Sequence, residues 1–175
     1  MRRVTLLCSL ILVVAQLSAQ TAGAVSFKTF VSARNHYHIV YPATWRVRRV
    51  SIHGTHYDIF LGPTLRSSWG LFRVNVNVAI DSAGAGRTTR AYARAAESAN
   101  AAQGALTDAR GRTTIAGGPA WFLRGHLNRL RHNDFHMVVF VRAGHGWQIT
   151  LSAPHRYIGR FRDLFNIMLA SFYTT

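Results

Sequence analysis

Phe72-Arg73-Val74-Asn75-Val76-Asn77-Val78-Ala79-Ile80-Asp81 decides the fold class. Phe72, Val74, Val76, Val78 and Ile80 take one side of an extended chain. Arg73, Asn75, Asn77 and Asp81 take the other. Side chains alternate across a strand, so this stretch reads as a strand with one face on a core and one polar face. Upstream, Tyr37, Ile39 and Tyr41 alternate with His36, His38 and Val40 until Pro42 stops the run. Trp45 and Val47 begin the next strand after a short turn. The apolar positions then shift parity to Val50 and Ile52, and a bulge near Arg48-Arg49 would restore the register. Tyr57, Ile59 and Leu61 mark a third strand, ended by Gly62-Pro63.

Downstream the period changes. A helix is expected from about Thr88 to Ala102, with Thr88 or Thr89 able to accept a hydrogen bond from a free first-turn N–H. Its apolar stripe is Tyr92, Ala95, Ala96 and Ala99. Strands resume at Thr113–Ile115 and, after the turn Gly117-Gly118-Pro119, at Ala120–Leu127. Phe135–Val141 is apolar on both parities, as a central strand covered on both faces would be. Trp147, Ile149 and Leu151 alternate with Gln148, Thr150 and Ser152. The chain closes with an amphipathic helix carrying Ile158, Phe161, Phe165, Met168, Leu169 and Phe172 on one stripe.

The N-terminus reads as a secretory signal peptide over residues 1–24. Arg2 and Arg3 precede the apolar stretch Val4–Ala15, and Ala22-Gly23-Ala24 offers a small-x-small cleavage site. The apolar stretch is shorter than the roughly 20 residues of a permanent membrane span. Residues 25–175 then form one α/β domain, exported to the periplasm or the extracellular space. Cys8 is the only cysteine, so the processed domain has neither disulfides nor thiolate chemistry. Charge is lopsided: 21 Lys+Arg against 6 Asp+Glu give a formal +15, which loss of Arg2 and Arg3 lowers by two. Such a balance attracts polyanions. Export argues against nucleic acid and for lipid headgroups, cell-wall polymers or acidic proteins.

Three blocks, in order, resemble the PsbP-like family (PsbP/Mog-type fold). They are Tyr37-His38-Ile39-Val40-Tyr41-Pro42-Ala43-Thr44-Trp45, then Gly117-Gly118-Pro119-Ala120. The third is Trp147-Gln148-Ile149-Thr150-Leu151-Ser152-Ala153-Pro154 with the helix ending Leu169-Ala170-Ser171-Phe172. The resemblance implies an α+β fold, an α-β-α sandwich around a mostly antiparallel sheet. It also implies binding rather than catalysis, since the family includes extrinsic photosystem II subunits, a Ran-binding import factor and bacterial envelope proteins. The photosystem and nuclear roles do not carry over to an exported chain without a plastid transit peptide. Tyr37, Tyr41 and Trp45 read as core packing.

Catalytic signatures are absent: the chain has no Gly-x-Ser-x-Gly, His-Glu-x-x-His or phosphate-loop motif. No cofactor is expected. Asp58, Asp81, Asp108 and Asp134 read as turn residues or arginine partners. Two candidate sites remain. His36 and His38 share a strand face, and antiparallel pairing about Pro42–Thr44 would bring His36 to Ser51–His53. With His56, these imidazoles could hold zinc or copper. The second candidate is basic: Arg46, Arg48 and Arg49 on one strand, Arg156, Arg160 and Arg162 on the last helix, and Arg124, Arg129 and Arg131 around a strand and its turn. Arginine's planar fork suits phosphate and carboxylate. The leading expectation is a non-enzymatic exported module docking onto an anionic envelope component or acidic partner protein. Peripheral contact with a membrane surface is one form of it. The alternative is an envelope metal-binding protein using His36, His38, His53 and His56, and an enzyme with an unmarked site comes third.

Overall fold

The structure, a computed structural model, describes residues 25–127 and 132–174. The leader expected over residues 1–24 lies outside the described residues, as do Arg129 and Arg131. Ten strands and two α-helices follow in the order β1 (Phe27–Ser32), β2 (Tyr37–Pro42), β3 (Arg46–Ile52), β4 (Thr55–Ser67), β5 (Gly70–Asp81), α1 (Thr89–Ala102), β6 (Leu106–Ile115), β7 (Gly118–His126), β8 (Asn133–Arg142), β9 (His145–Pro154), α2 (Ile158–Ala170) and β10 (Tyr173–Thr174). Seven strands form one sheet ordered β3-β4-β5-β9-β8-β7-β6, and three form a second ordered β1-β2-β10. Every pairing is antiparallel. This is the expected α+β architecture.

The strand that opened the reading sits inside the large sheet, between β4 and β9. Val74, Val76, Val78 and Ile80 are buried in the main core, while Phe72 is only half-buried where β5 runs out past β9. That core joins both sheets and α2. Phe30, Tyr37 and Ile39 from the small sheet meet Phe60, Ile149, Leu151 and Phe140 from the large one, with Phe161, Phe165, Met168 and Phe172 closing the layer. On the opposite face a smaller core packs Tyr92, Ala93 and Ala96 of α1 against Leu123, Phe135, Met137 and Val139. The alanines let α1 approach closely. Its inner stripe therefore includes Ala93 in place of Ala99, which is exposed. Thr88 caps the helix, its hydroxyl accepting from Ala91 N–H at 3.2 Å. The double-sided apolar strand is β8, flanked by β7 and β9 and buried from both faces.

Four expectations are corrected. First, β2 and β3 do not form a hairpin. Pro42 is buried, Trp45 N–H donates to its carbonyl at 2.9 Å, and Ala43 N–H donates to Ser26. The chain thus leaves the small sheet, whose β2 is paired on both sides by β1 and β10. Trp45 lands on the large sheet over Gly62, where an added Cβ would lie 2.7 Å from its ring. Second, no bulge interrupts β3, which pairs in unbroken register with β4. As an edge strand it places Val47 toward the core and Val50 on the outer face, so both parities are apolar without a slip. Third, the irregularity lies in β4 between Leu61 and Thr64, where Gly62-Pro63 forms an extra residue and the strand continues to Ser67. Proline is tolerated there because a bulge leaves its missing N–H unneeded. Fourth, β6 begins at Leu106 rather than Thr113, and its turn into β7 is Ala116-Gly117. The short partners β1 and β10 carry no alternation long enough to read.

Candidate functional site

Coverage of the large sheet is unequal. On the α1 side, the helix lies over β6, β7 and β8. The half of that face made by β3, β4 and β5 is left to solvent. Strand alternation assigns its residues: Arg46, Arg48 and Val50 on β3, Tyr57, Ile59 and Leu61 on β4, and Arg73, Asn75 and Asn77 on β5. All are exposed or half-buried. Where the face meets α1, a groove of about 570 Å³ runs between Asn75, Asn77, Gln148 and Thr150 on the sheet and Asn100 of the helix and Gln103 just after it. Its lining is rich in amides, and the Asn77 Oδ1, buried at its floor, has no hydrogen-bond partner among the described residues.

The charges on this face are cationic. Arg49, expected to act with Arg46 and Arg48, points to the other side. Its Nε lies 3.6 Å from Asp58, and its guanidinium lies 5.1 Å from the centroid of the Phe30 ring. Asp58 is buried and also accepts from the Tyr37 hydroxyl at 2.6 Å, so it ties the small sheet to the large one. Burial, then the hydrogen bond to Asp58, pushes the Tyr37 phenol far above its ordinary range. The remaining acids are likewise engaged. Asp81 accepts from Tyr92 at 2.8 Å and from Ala83 N–H. Glu97 meets Arg110 at 2.7 Å, Asp108 meets His126, Asp134 meets His155 at 2.8 Å, and Asp163 lies beside Arg162. Among the described residues no carboxylate lies within ion-pair distance of Arg46, Arg48, Arg66 or Arg73.

The second arginine set separates as well. Arg156 lies in a single 3-10 turn before α2, and its Nη2 donates to the Arg66 carbonyl at 2.6 Å. That fastens the start of α2 to the distal β4–β5 hairpin, beside the solvent face. Arg162 instead lies near His136, whose pKa is lowered by burial first and then by Arg124, with Arg162 adding and Asp134 opposing. Arg160 is exposed on α2. The predicted arginines thus do not share one place. Arg46 and Arg48 share one face with Arg73, on the polar side of β5.

The histidines are brought together only in part. His36 and His53 occupy turns with positive φ (52° and 49°), not strand positions. His36 and His56 line a cavity of about 490 Å³ with Arg34, Asn35, Asp81 and the unpredicted His145. His38 turns away and stacks on Tyr173 at 5.1 Å. β2 does not pair with β3, so His36 and His56 reach this cavity from a turn and a strand of different sheets rather than across a hairpin. Among the described residues, no three His, Cys, Asp or Glu side chains converge to hold a metal ion.

No protein-family model matches the sequence, and no curated protein does. Solved structures do. Cyanobacterial PsbP (CyanoP) from Synechocystis sp. PCC 6803 is similar with a TM-score of 0.59 and 17% identity, over 90% of this chain and 98% of that one. The Ran-binding protein Mog1p of Saccharomyces cerevisiae matches at 0.56 and 9% identity, over 86% of this chain and 96% of that one. PA94 from Pseudomonas aeruginosa, described as a putative regulator of unknown function, matches at 0.54 and 16%, over 80% and 91%. At these identities the likeness concerns the backbone, and on it the chain has the PsbP/Mog1 fold.

Proposed function

We propose that the protein is an exported, non-enzymatic accessory module that docks onto an anionic envelope component or acidic partner through the solvent face of β3, β4 and β5. The observation that carries this is the division of charge. Among the described residues the few carboxylates lie against other side chains, while Arg46, Arg48 and Arg73, on the half of the sheet that α1 leaves open, have no acid within ion-pair distance. A solvent-facing sheet surface of arginines, aliphatics and amides suits docking to an extended anionic surface. It offers no positioned nucleophile or acid–base pair. The shared fold with a protein described as Ran-binding supports an interaction role in general.

The test is co-sedimentation of the processed protein with phosphatidylglycerol and phosphatidylcholine vesicles, and pull-down on polyglutamate, at low and high salt. Binding should favour the anionic ligands and weaken steeply with salt, because the screening length is ~10 Å at 0.1 M. Equal binding to both vesicle types, unaffected by salt, would overturn the proposal.

A further inference from the structure

We propose that the tip of the β4–β5 hairpin is an interfacial anchor, with Trp69 and Leu71 entering the headgroup layer of an anionic phospholipid bilayer and Arg66, Arg73 and Arg156 binding its phosphates. This rests on the anion-docking reading above and names one partner class for it.

The hairpin runs past the rest of the sheet. Its last pairing, Ser67 with Gly70, lies beyond the last residue of β5 that pairs with β9, Asn75. At that tip Trp69 and Leu71 are 68% and 75% exposed, the two highest values among the large exposed hydrophobic residues. Leaving both in water forgoes burial that a partner would supply. The exposure is also held in place. Ser67 Oγ accepts from Trp69 N–H at 3.2 Å and donates to the Gly70 carbonyl. Ser68 Oγ meets His132 Nδ1 at 2.6 Å, and the Trp69 ring lies 4.9 Å from the His132 ring. Arg156 clasps the Arg66 carbonyl. A tip tied to the body at two points presents its apolar side chains without a large ordering cost.

The surroundings fit a phospholipid. Arg66 lies directly opposite Leu71 in the hairpin, and Arg73 follows on the same side of β5. The carboxylates at this end, Asp108 and Asp134, are engaged by His126 and His155. Arginine's fork matches phosphate oxygens, and indole is favoured at the membrane–water boundary because it is apolar with one polar edge. The apolar tip is convex and narrow, two large side chains with cations behind them. That shape enters a soft layer more readily than it fills a groove, and the adjoining arginine face can lie along the same surface. Among the described residues no helix is long and apolar enough to cross a membrane.

Intrinsic fluorescence and sedimentation of the processed protein test this. Of the four tryptophans, Trp45 and Trp147 are buried and Trp121 is half-buried, so the wetter signal comes from Trp69. Phosphatidylglycerol vesicles should shift it to the blue, and brominated phosphatidylglycerol should quench it. Trp69→Ala should abolish that response. Trp69→Ala and Leu71→Ala should each weaken partitioning about tenfold with an unchanged melting temperature, and Trp69→Phe should recover part of it. Arg66→Gln and Arg73→Gln should each cost about fivefold and reduce the salt dependence. If both apolar variants bind vesicles like wild type and no quenching occurs, the anchor is refuted while electrostatic docking stands. If Trp69→Ala weakens polyglutamate binding equally, the tip serves an acidic polypeptide and the lipid assignment falls. If wild type binds neither ligand, the docking reading itself fails.

Discussion

Replacing Tyr37 by Phe removes one oxygen from the joint between the two sheets. The ring keeps its neighbours Phe30, Trp147 and Phe172, whose centroids lie 5.8, 5.7 and 5.4 Å away. What is lost is the 2.6 Å hydrogen bond to Asp58, which is 3% exposed. Arg49 is a weak substitute, since its Nε stands 3.6 Å off and its side chain is 70% exposed. A hydrogen bond to a charged group contributes about 1.5–3 kcal/mol, and a buried carboxylate deprived of a donor bears the desolvation cost itself. For a chain of this length each kcal/mol moves the midpoint by about 2–4 °C. Tyr37→Phe should therefore lower the melting temperature by roughly 3–12 °C, with an unfolding free energy about 1.5–3 kcal/mol smaller in urea. In a double-mutant cycle with Asp58→Ala, which removes the acceptor, the two changes should be less than additive because they delete one interaction. A loss under ~0.5 kcal/mol, or full additivity, would refute the claim that this pair holds the layers together.

Three further outcomes are expected. Phe165 is buried between α2 and the sheets, so Phe165→Ala should cost about 3–5 kcal/mol in chemical unfolding; under ~1 kcal/mol would detach α2 from the core. His136 has its folded pKa held below the ordinary value, so the unfolded chain binds more protons as pH falls through about 6.5, and stability is lost on the acid side. His136→Gln should accordingly flatten the decline in unfolding free energy between about pH 7.5 and 5.5, and parallel profiles for wild type and variant would contradict the assignment. N-terminal sequencing of the secreted protein should begin at Val25; Met1 on the secreted product would remove the case for processing.

The sequence exposed the elements with sustained periodicity. β5, β9 and both helices are legible because each repeats its apolar spacing over two or more turns or three or more alternations, and β8 because its apolar run fills both parities. Their layering was legible through the Tyr37–Trp45 and Trp147–Pro154 blocks. The failures share a cause: partners distant in sequence. Nothing local says that β2 pairs with Phe27–Ser32 and with the last residues of the chain. Pro42 therefore reads locally as a hairpin turn, and the expected histidine cluster depends on that pairing. The arginines met the same limit. Arg48 and Arg49 are adjacent in sequence and opposite in space, while Arg48 and Arg73 are distant in sequence and share a face. That face is visible only once α1 is seen to cover half of the sheet. Nothing local marks Trp69 and Leu71, because an exposed apolar residue beside a turn looks in sequence like one destined for the core.

The most direct test of the docking face compares two charge-matched variants against phosphatidylglycerol vesicles across a salt series. One replaces Arg46, Arg48 and Arg73 with Gln on the solvent face. The other replaces Arg87, Arg94 and Arg112, exposed residues of the α1 end and the β6 edge. Each arginine near an anionic surface contributes about 1 kcal/mol. The face variant should therefore bind about a hundredfold more weakly with a shallower salt slope, and the control should change by less than about threefold. Equal losses in the two variants would show attraction by the overall field rather than by this face, and would contradict the assignment of β3, β4 and β5 as the docking surface.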